Sequence, residues 1–181
     1  AGVATGLAYY YFESKDAIVL AYYDRAYNEL VPVLEEAQTG KKLDTRIEAL
    51  ITAKLRYFAP NRRFLGALMG HAADPASPLS PFGEPSKPVR DAEIAHFARA
   101  LKETNTKVAP DLASEMPKLL WMYQMSLILF WMYDRSEAQE RTMRLLRASL
   151  RMVLLLVKIA ALPLMKPARK AVLELVHIVE N

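Results

Sequence analysis

The fold of the chain is decided by its first stretch, since residues 1–15 read AGVATGLAYYYFESK. Gly2 marks a turn before a helix of about two turns over residues 4–11, and Ser14 opens the next helix. A short helix after such a turn is typical of the recognition half of a helix-turn-helix. Tyrosine hydroxyls and a lysine near a helix N-terminus are good ligands for DNA phosphates. From the residues alone, the alternative is that the turn and the tyrosine cluster are local packing.

Beyond this stretch, proline and glycine divide the chain into helical blocks. No run alternates apolar and polar residues between turn residues, as a strand would. The sequence therefore predicts an all-α fold. The expected helices occupy residues 14–38, 45–59, 61–73, 89–106, 136–161 and 167–180. A further helix is expected to begin between residues 111 and 117 and to end at residue 133.

The expected helix starts depend on capping residues. Ser14 is the predicted N-cap of the first helix. Capping boxes are predicted for Thr45 with Glu48 and for Ser136 with Gln139.

The expected breaks depend on proline and glycine. Thr39-Gly40 should stop the first helix and Pro32 should kink it. Five of the eleven prolines fall between Pro75 and Pro88, which predicts a loop there.

Composition excludes several classes of protein. The 181 residues are 52% hydrophobic and 24% charged, and none is cysteine, so disulfides, thiolate zinc sites and cysteine nucleophiles are absent. The most apolar runs, residues 119–133 and 152–165, are shorter than the roughly 18 residues of a membrane-spanning helix. No charged-then-apolar leader is visible. We therefore expect a cytoplasmic protein with no membrane partner.

Charge alone does not indicate a nucleic-acid binder. The net charge is only +4. Residues 1–40 hold two basic and six acidic side chains, whereas residues 41–73 hold seven and two. An electrostatic footprint for DNA would be a concentrated basic face, which this distribution does not provide.

Residues 1–15 resemble the signature of the TetR/AcrR family of one-component transcriptional repressors. The resemblance is carried by Gly2-Val3, Gly6, the aromatic run Tyr9–Phe12 and Lys15. The number and order of the expected helices are also similar to that family's ligand-binding and dimerisation domain.

Two positions depart from the family signature. Ala4 replaces the usual serine and so lacks its hydroxyl cap, and Ala8 replaces a larger leucine or isoleucine. Either change would weaken the small domain without altering its role. The resemblance also implies that the first two helices of the DNA-binding unit would lie before Ala1, so the chain from Ala1 alone is expected to bind DNA poorly.

The resemblance implies a homodimeric regulator, a repressor, whose binding to operator DNA is modulated by a small, largely apolar effector. Residues 1–38 would be the remnant of the helix-turn-helix domain with its connecting long helix, and residues 39–181 would bind effector and dimerise. It implies base-edge or groove contacts by Thr5, Gly6 and Leu7, and phosphate contacts by Tyr10, Tyr11 and Lys15.

The middle of the chain is unusually rich in aromatic, methionine and weakly polar side chains. Ligand pockets are mostly apolar with a few placed polar groups, and methionine suits adaptable recognition. The alternative for each residue is ordinary core packing. The candidate effector-binding residues are Tyr57, Phe64, Leu68, Met69, His71, His96, Phe97, Trp121, Gln124, Met125 and Ile128.

The periodicity of residues 136–161 predicts a dimer. At 100° per residue the charged side chains share one arc, and the opposite half carries more apolar width than one neighbouring helix covers. A two-fold four-helix bundle with the preceding helix would bury this surplus. The alternative is a monomer in which the last helix and the proline-rich loop cover it. The predicted interface residues are Leu127, Phe130, Leu146, Leu150, Val153 and Val157.

No catalytic machinery is visible, because the sequence has no Ser-His-Asp order, glycine-rich phosphate loop or zinc-protease motif. His71 with Asp74, and Glu93 with His96, could share a metal if they converged, but such sites need more carboxylates. We therefore expect no enzyme, cofactor or metal. Two alternatives stay open: a helical small-molecule-binding or scaffold protein without a DNA role, and a helical enzyme using His71 and His96.

Overall fold

The computed structural model describes residues 14–72, 74 and 77–180, and this part of the chain contains α-helices and short 3₁₀ turns but no strand. The all-α prediction is confirmed. The helices are α1 (Lys15–Ala37), α2 (Leu43–Phe58), α3 (Arg62–Ala72), α4 (Lys87–Glu103), α5 (Met116–Tyr133), α6 (Glu140–Ala160) and α7 (Lys166–Glu180).

Helix α1 begins where the sequence predicts. The Ser14 hydroxyl oxygen accepts a hydrogen bond from the Ala17 amide at 3.0 Å, so Ser14 is the N-cap. The helix continues through Pro32 to Ala37. Leu30 and Leu34 of α1 are 2% and 6% exposed and pack into the main core, which holds α1 against α2 and α4.

The core lies where α2, α4, α5 and α6 meet. Helix α2 contributes a buried stripe, α4 and α5 pack closely along each other, and α6 packs on α2. The most deeply buried side chains of this core include Ile47, Leu50, Ile51, Phe97, Ala100, Leu120, Trp121 and Leu146.

Both predicted capping boxes are wrong. Helix α2 begins at Leu43, and Thr45 lies inside its first turn, where its amide donates to the Asp44 carboxylate at 2.6 Å. Helix α6 begins at Glu140, because Ala138 and Gln139 adopt left-handed backbone conformations with φ of 47° and 54°. Gln139 therefore cannot occupy the third helical position of a box opened by Ser136.

Asp134 caps α6 instead. Its buried carboxylate accepts hydrogen bonds from the Thr142 amide (2.8 Å) and hydroxyl (2.7 Å), and from the Ser136 amide (2.9 Å) and hydroxyl (2.7 Å). Burial alone would raise the pKa of Asp134, but these hydrogen bonds outweigh burial and hold the pKa well below its usual range. An ionised carboxylate thus fixes the corner between α5 and α6.

The proline-rich loop is fastened to the helices behind it. One Arg90 guanidinium nitrogen donates to the carbonyls of Pro81 (2.8 Å) and Gly83 (2.9 Å). The Phe82 ring packs edge-on against Trp121, with 5.4 Å between centroids. As predicted, the described residues 77–86 form no long helix, and the 3₁₀ turn Glu84–Ser86 leads into α4.

A chain of ion pairs holds the C-terminal end of α1. Glu35 of α1 pairs with Arg99 of α4, and Arg99 also binds Glu103 at 2.7 Å. Glu103 pairs in turn with Arg46 of α2, whose guanidinium donates to the Gly40 carbonyl just beyond α1. Three helices are therefore tied together at this end of the molecule.

Among the described residues, no single helix is both long and apolar enough to span a membrane. The segments Glu137–Ala160 and Pro163–Val176 reach that length and composition only as a pair, and they are bent by 99°.

Candidate functional site

A cavity of about 420 Å³ lies among α1 to α5 and the proline-rich loop. This volume falls within the roughly 300–1,000 Å³ typical of small-molecule sites. The wall is mostly apolar, and five helices and one loop each supply part of it. Its apolar side chains include Leu20, Leu30, Phe58, Leu65, Val89 and Met132.

Helix α1 forms one side of the cavity. Tyr23, Asp24 and Tyr27 all line it, and the Tyr27 hydroxyl lies 3.4 Å from Nε2 of His96. Burial raises the pKa of Tyr27, and the nearby negative charges of Glu93 and Glu35 raise it further. Tyr27 is therefore a neutral phenol that contacts the cavity on one side and α4 on the other.

His96 belongs to α4, and its buried side chain faces the C-terminal half of α1. Nε2 of Gln38 lies 3.2 Å from its Nδ1 and also 3.2 Å from its backbone carbonyl oxygen. Burial lowers the pKa of His96, although the negative charge of Glu35 opposes this. A neutral ring that accepts at Nδ1 from Gln38 and donates from Nε2 to Tyr27 satisfies these contacts.

A nearly buried ion pair stands in the cavity wall. Lys54 of α2 pairs with Oε1 of Glu93 of α4, and their side chains are only 10% and 14% exposed. Oε2 of Glu93 accepts from Nε1 of Trp121 at 2.9 Å and from Nε2 of Gln124 at 3.4 Å. Three helices thus meet at this carboxylate.

The structure brings some of the predicted effector-binding residues together at the cavity. Leu68, Trp121, Met125 and Ile128 line it. Tyr57 instead donates to Glu29 on the outer surface, and this hydrogen bond raises the pKa of Tyr57 to about 12.

The other predicted effector-binding residues lie elsewhere. Phe64 is 45% exposed and packs edge-on against Tyr22. His96, Phe97 and Gln124 line a much smaller void of about 10 Å³ behind the Lys54–Glu93 pair, and Phe97 belongs to the core. The side chains of Met69 and His71 lie outside the described residues.

Sequence reasoning missed Lys54 and the tyrosines of α1. The signal for Lys54 was available, because it follows Ile47 and Leu50 at helical spacing and so falls in the buried stripe of α2. A lysine in an apolar stripe needs a partner inside the protein. Tyr23 and Tyr27 show the same spacing in α1, but spacing does not distinguish a cavity wall from a packed core.

The predicted DNA contacts Thr5, Gly6, Leu7, Tyr10 and Tyr11 lie outside the described residues. Lys15 is the first residue of α1, and its side chain also lies outside them.

The predicted dimer interface needs a correction. Leu127, Leu146, Leu150 and Val157 are between 0% and 7% exposed within their own chain, so they have almost no surface to offer a partner. They face inward because α5 and α6 pack on α2 and on each other. Val153 is half-buried, and Phe130 is 37% exposed.

The apolar surface that stays exposed on these two helices lies on the other flank, at Leu129, Phe130 and Tyr133 of α5 and at Leu145, Met152, Leu155 and Leu156 of α6.

Within the described ranges, no three metal-binding side chains come together. Glu93 and His96, which the sequence placed at metal-ligand spacing, use their polar atoms for Lys54, Trp121 and Gln38 instead.

The comparison with protein families matches a model described as the Tetracyclin repressor-like C-terminal domain over residues 46–174. The match covers more than half of the chain and runs from within α2 to within α7. No curated protein was found to match the chain. The family match, the all-α fold and the helices around the cavity lead to one conclusion: the chain belongs to the TetR family of regulators.

Proposed function

We propose that this protein is a one-component transcriptional repressor that binds operator DNA as a homodimer and responds to a small, largely apolar effector in the cavity. Residues 1–38 carry the DNA contacts and the connecting helix, and residues 39–181 bind the effector and dimerise. The alternative is a helical small-molecule-binding protein without a DNA role.

One observation carries this proposal: α1 lines the cavity and also leads back to the motif in residues 1–15. Tyr23, Asp24 and Tyr27 form part of the wall, eight or more residues after Lys15. A molecule in the cavity therefore touches the helix that directly follows the motif in the chain. Because two-fold repressors read half-sites about 34–36 Å apart, a small shift of this helix in each subunit changes the fit to DNA.

The exposed flank of α5 and α6 supports the dimer. Both helices keep apolar side chains exposed: Leu129 and Phe130 on α5, and Leu145, Met152 and Leu156 on α6. The two helices are joined through the Tyr123 hydroxyl, which lies 2.7 Å from that of Ser149. A second copy of the same surface across a two-fold axis would complete a four-helix bundle.

The DNA role is tested by selecting binding sites from a pool of random duplexes with the complete gene product. We expect enrichment of an inverted repeat with half-sites about one helical turn apart. A protein that is folded and dimeric but enriches no sequence would support the alternative function.

A change at Lys15 is expected to weaken binding to all DNA sequences equally. Removing one phosphate contact with Lys15→Ala should lower the slope of log affinity against log salt by about 1. Tyr11→Phe should act in the same direction without changing the slope, whereas changes at Thr5 and Leu7 should alter sequence preference. Fluorescence anisotropy of labelled operator across a salt series measures these effects. An unchanged slope in Lys15→Ala would show that this lysine binds no phosphate.

Filling the cavity is expected to abolish the effector response. Leu68→Trp replaces an aliphatic side chain of the cavity wall by a bulky indole ring and should weaken ligand binding at least ~10-fold. Because Leu68 is half-buried, the loss of stability should be limited to about 1–2 kcal/mol. The matched control is Phe64→Ala on the same helix, because Phe64 lies outside the cavity wall. Calorimetric titration and urea unfolding separate the two quantities. Equal effects of both changes on ligand affinity would argue against this cavity.

A further inference from the structure

The Lys54–Glu93 ion pair shows which ligand chemistry the cavity favours. Both side chains line the cavity, yet each is nearly buried. Burying an ion pair involves a large desolvation cost, and a wholly apolar wall would avoid it. A few placed polar groups in an apolar pocket are what orient a bound molecule.

Glu93 and Lys54 differ in how much of their hydrogen-bonding capacity is already used within the protein. Glu93 is well occupied, because Oε1 accepts from Lys54 and Oε2 accepts from Trp121 and Gln124. The Lys54 ammonium has three N–H donors, and the hydrogen bond found for it in the described structure is the one to Glu93. This site can therefore donate hydrogen bonds to a ligand but has little capacity to accept them.

The cavity wall carries as many basic as acidic side chains. Lys54 and Arg90 are opposed by Asp24 and Glu93, and Arg90 already binds two loop carbonyls. An anionic ligand near Lys54 would face the carboxylate of Glu93 in a poorly solvated space, and a cationic ligand would face Lys54 itself. Both arrangements place like charges close together where water screens them weakly.

We propose that the cavity binds a neutral, largely apolar molecule with one hydrogen-bond-accepting oxygen, such as a ketone, ester or lactone carbonyl, which accepts from Nζ of Lys54. This inference rests on the proposed function, since it names the chemical class of the effector. Aromatic and aliphatic wall residues such as Trp121, Met125 and Ile128 enclose the rest of the molecule.

Two matched series of probes test this inference by calorimetric titration. The rigid series is benzophenone, diphenylmethane, diphenylacetate and diphenylmethylammonium, and the flexible series is 2-decanone, decane, decanoate and decylammonium. In at least one series, we expect the ketone to bind at least ~10-fold more tightly than its hydrocarbon and than both ions, as one hydrogen bond from a charged donor provides.

The key variant is Lys54→Met/Glu93→Gln, which removes both charges at nearly constant volume and leaves no unpaired buried ion. It should reduce the advantage of the ketone over the hydrocarbon to less than threefold, while affinity for the hydrocarbon stays within about twofold. Lys102→Met is the control, because Lys102 is exposed on α4 away from the cavity. Thermal unfolding establishes that the variants are folded.

The outcomes separate the two proposals. If the probes bind but the hydrocarbon or either ion equals the ketone, or if the double variant keeps the preference for the ketone, the ligand class is wrong and the cavity still binds ligands. If no probe of either series binds the folded wild-type protein, the ligand class and the effector part of the proposed function both fail, whereas the DNA role is decided by the binding-site selection.

Discussion

Replacing Met152 and Leu156 by glutamate is expected to convert the proposed dimer into a monomer. Both side chains are more than half exposed on the apolar flank of α6, and a two-fold axis would bury each of them twice. Because a buried Leu or Met side chain contributes about 1.5–3 kcal/mol, the double change should raise the dimer dissociation constant at least about a thousandfold. Sedimentation velocity across micromolar concentrations measures the shift.

The control for this experiment is Lys158→Glu. Lys158 lies on the charged arc of α6, so this change adds the same side chain to the same helix while leaving the dimer intact. Leu150→Glu would be uninformative, since Leu150 is 2% exposed and its loss would disrupt the fold of the single chain. A wild-type protein that sediments as a monomer at these concentrations would refute the interface.

Asp134→Ala is expected to destabilise the fold by about 3 kcal/mol, because it leaves the buried donors of Thr142 and the half-buried donors of Ser136 without their acceptor. The stabilisation should depend on pH. Since the pKa of Asp134 is lowered in the folded state, its contribution is fully present above the usual value of 3.8 and is lost as the pH falls toward the folded-state pKa.

Urea unfolding of wild type and Asp134→Ala at pH 7 and near pH 3 tests both statements, and the difference between them should shrink at the lower pH. Asp91→Asn is the control, because Asp91 forms an exposed pair with Lys87 and should change stability by less than about 0.5 kcal/mol. A difference that is the same at both pH values would mean that Asp134 is not held ionised by the fold.

The helices could be predicted from sequence better than their ends. Ser14 followed by an apolar periodicity identified α1, and the prolines between Pro75 and Pro88 identified the loop. The capping boxes failed because a Ser/Thr-x-x-Glu/Gln pattern does not show which acceptor is nearest in space. At α6 that acceptor is Asp134, which precedes Ser136 and belongs to the end of the previous helix.

The candidate site was only partly predictable. Trp121 and Met125 were identified by residue type, but residue type equally selected Phe97, which packs in the core. The polar part of the wall depends on pairing between α2 and α4, and Lys54 and Glu93 are 39 residues apart in the chain. Such a pairing follows from how the helices cross, which local pattern does not encode. The same limit applies to the two flanks of α6, because periodicity defines an apolar half but not which part of it faces the chain's own core.

If the proposed effector displaces α1, the ion pair of Glu35 and the hydrogen bonds of Gln38 would make the C-terminal end of the helix its fixed point. Tyr27 lies eight residues from Glu35 and Lys15 lies twenty, so at 1.5 Å per residue the lever arms are about 12 Å and about 30 Å. A displacement of about 1 Å at Tyr27 therefore becomes about 2.5 Å at Lys15. For the same displacement at the point of contact, a molecule touching Tyr27 would then move the start of α1 further than one touching Leu20, because Tyr27 lies nearer the fixed end.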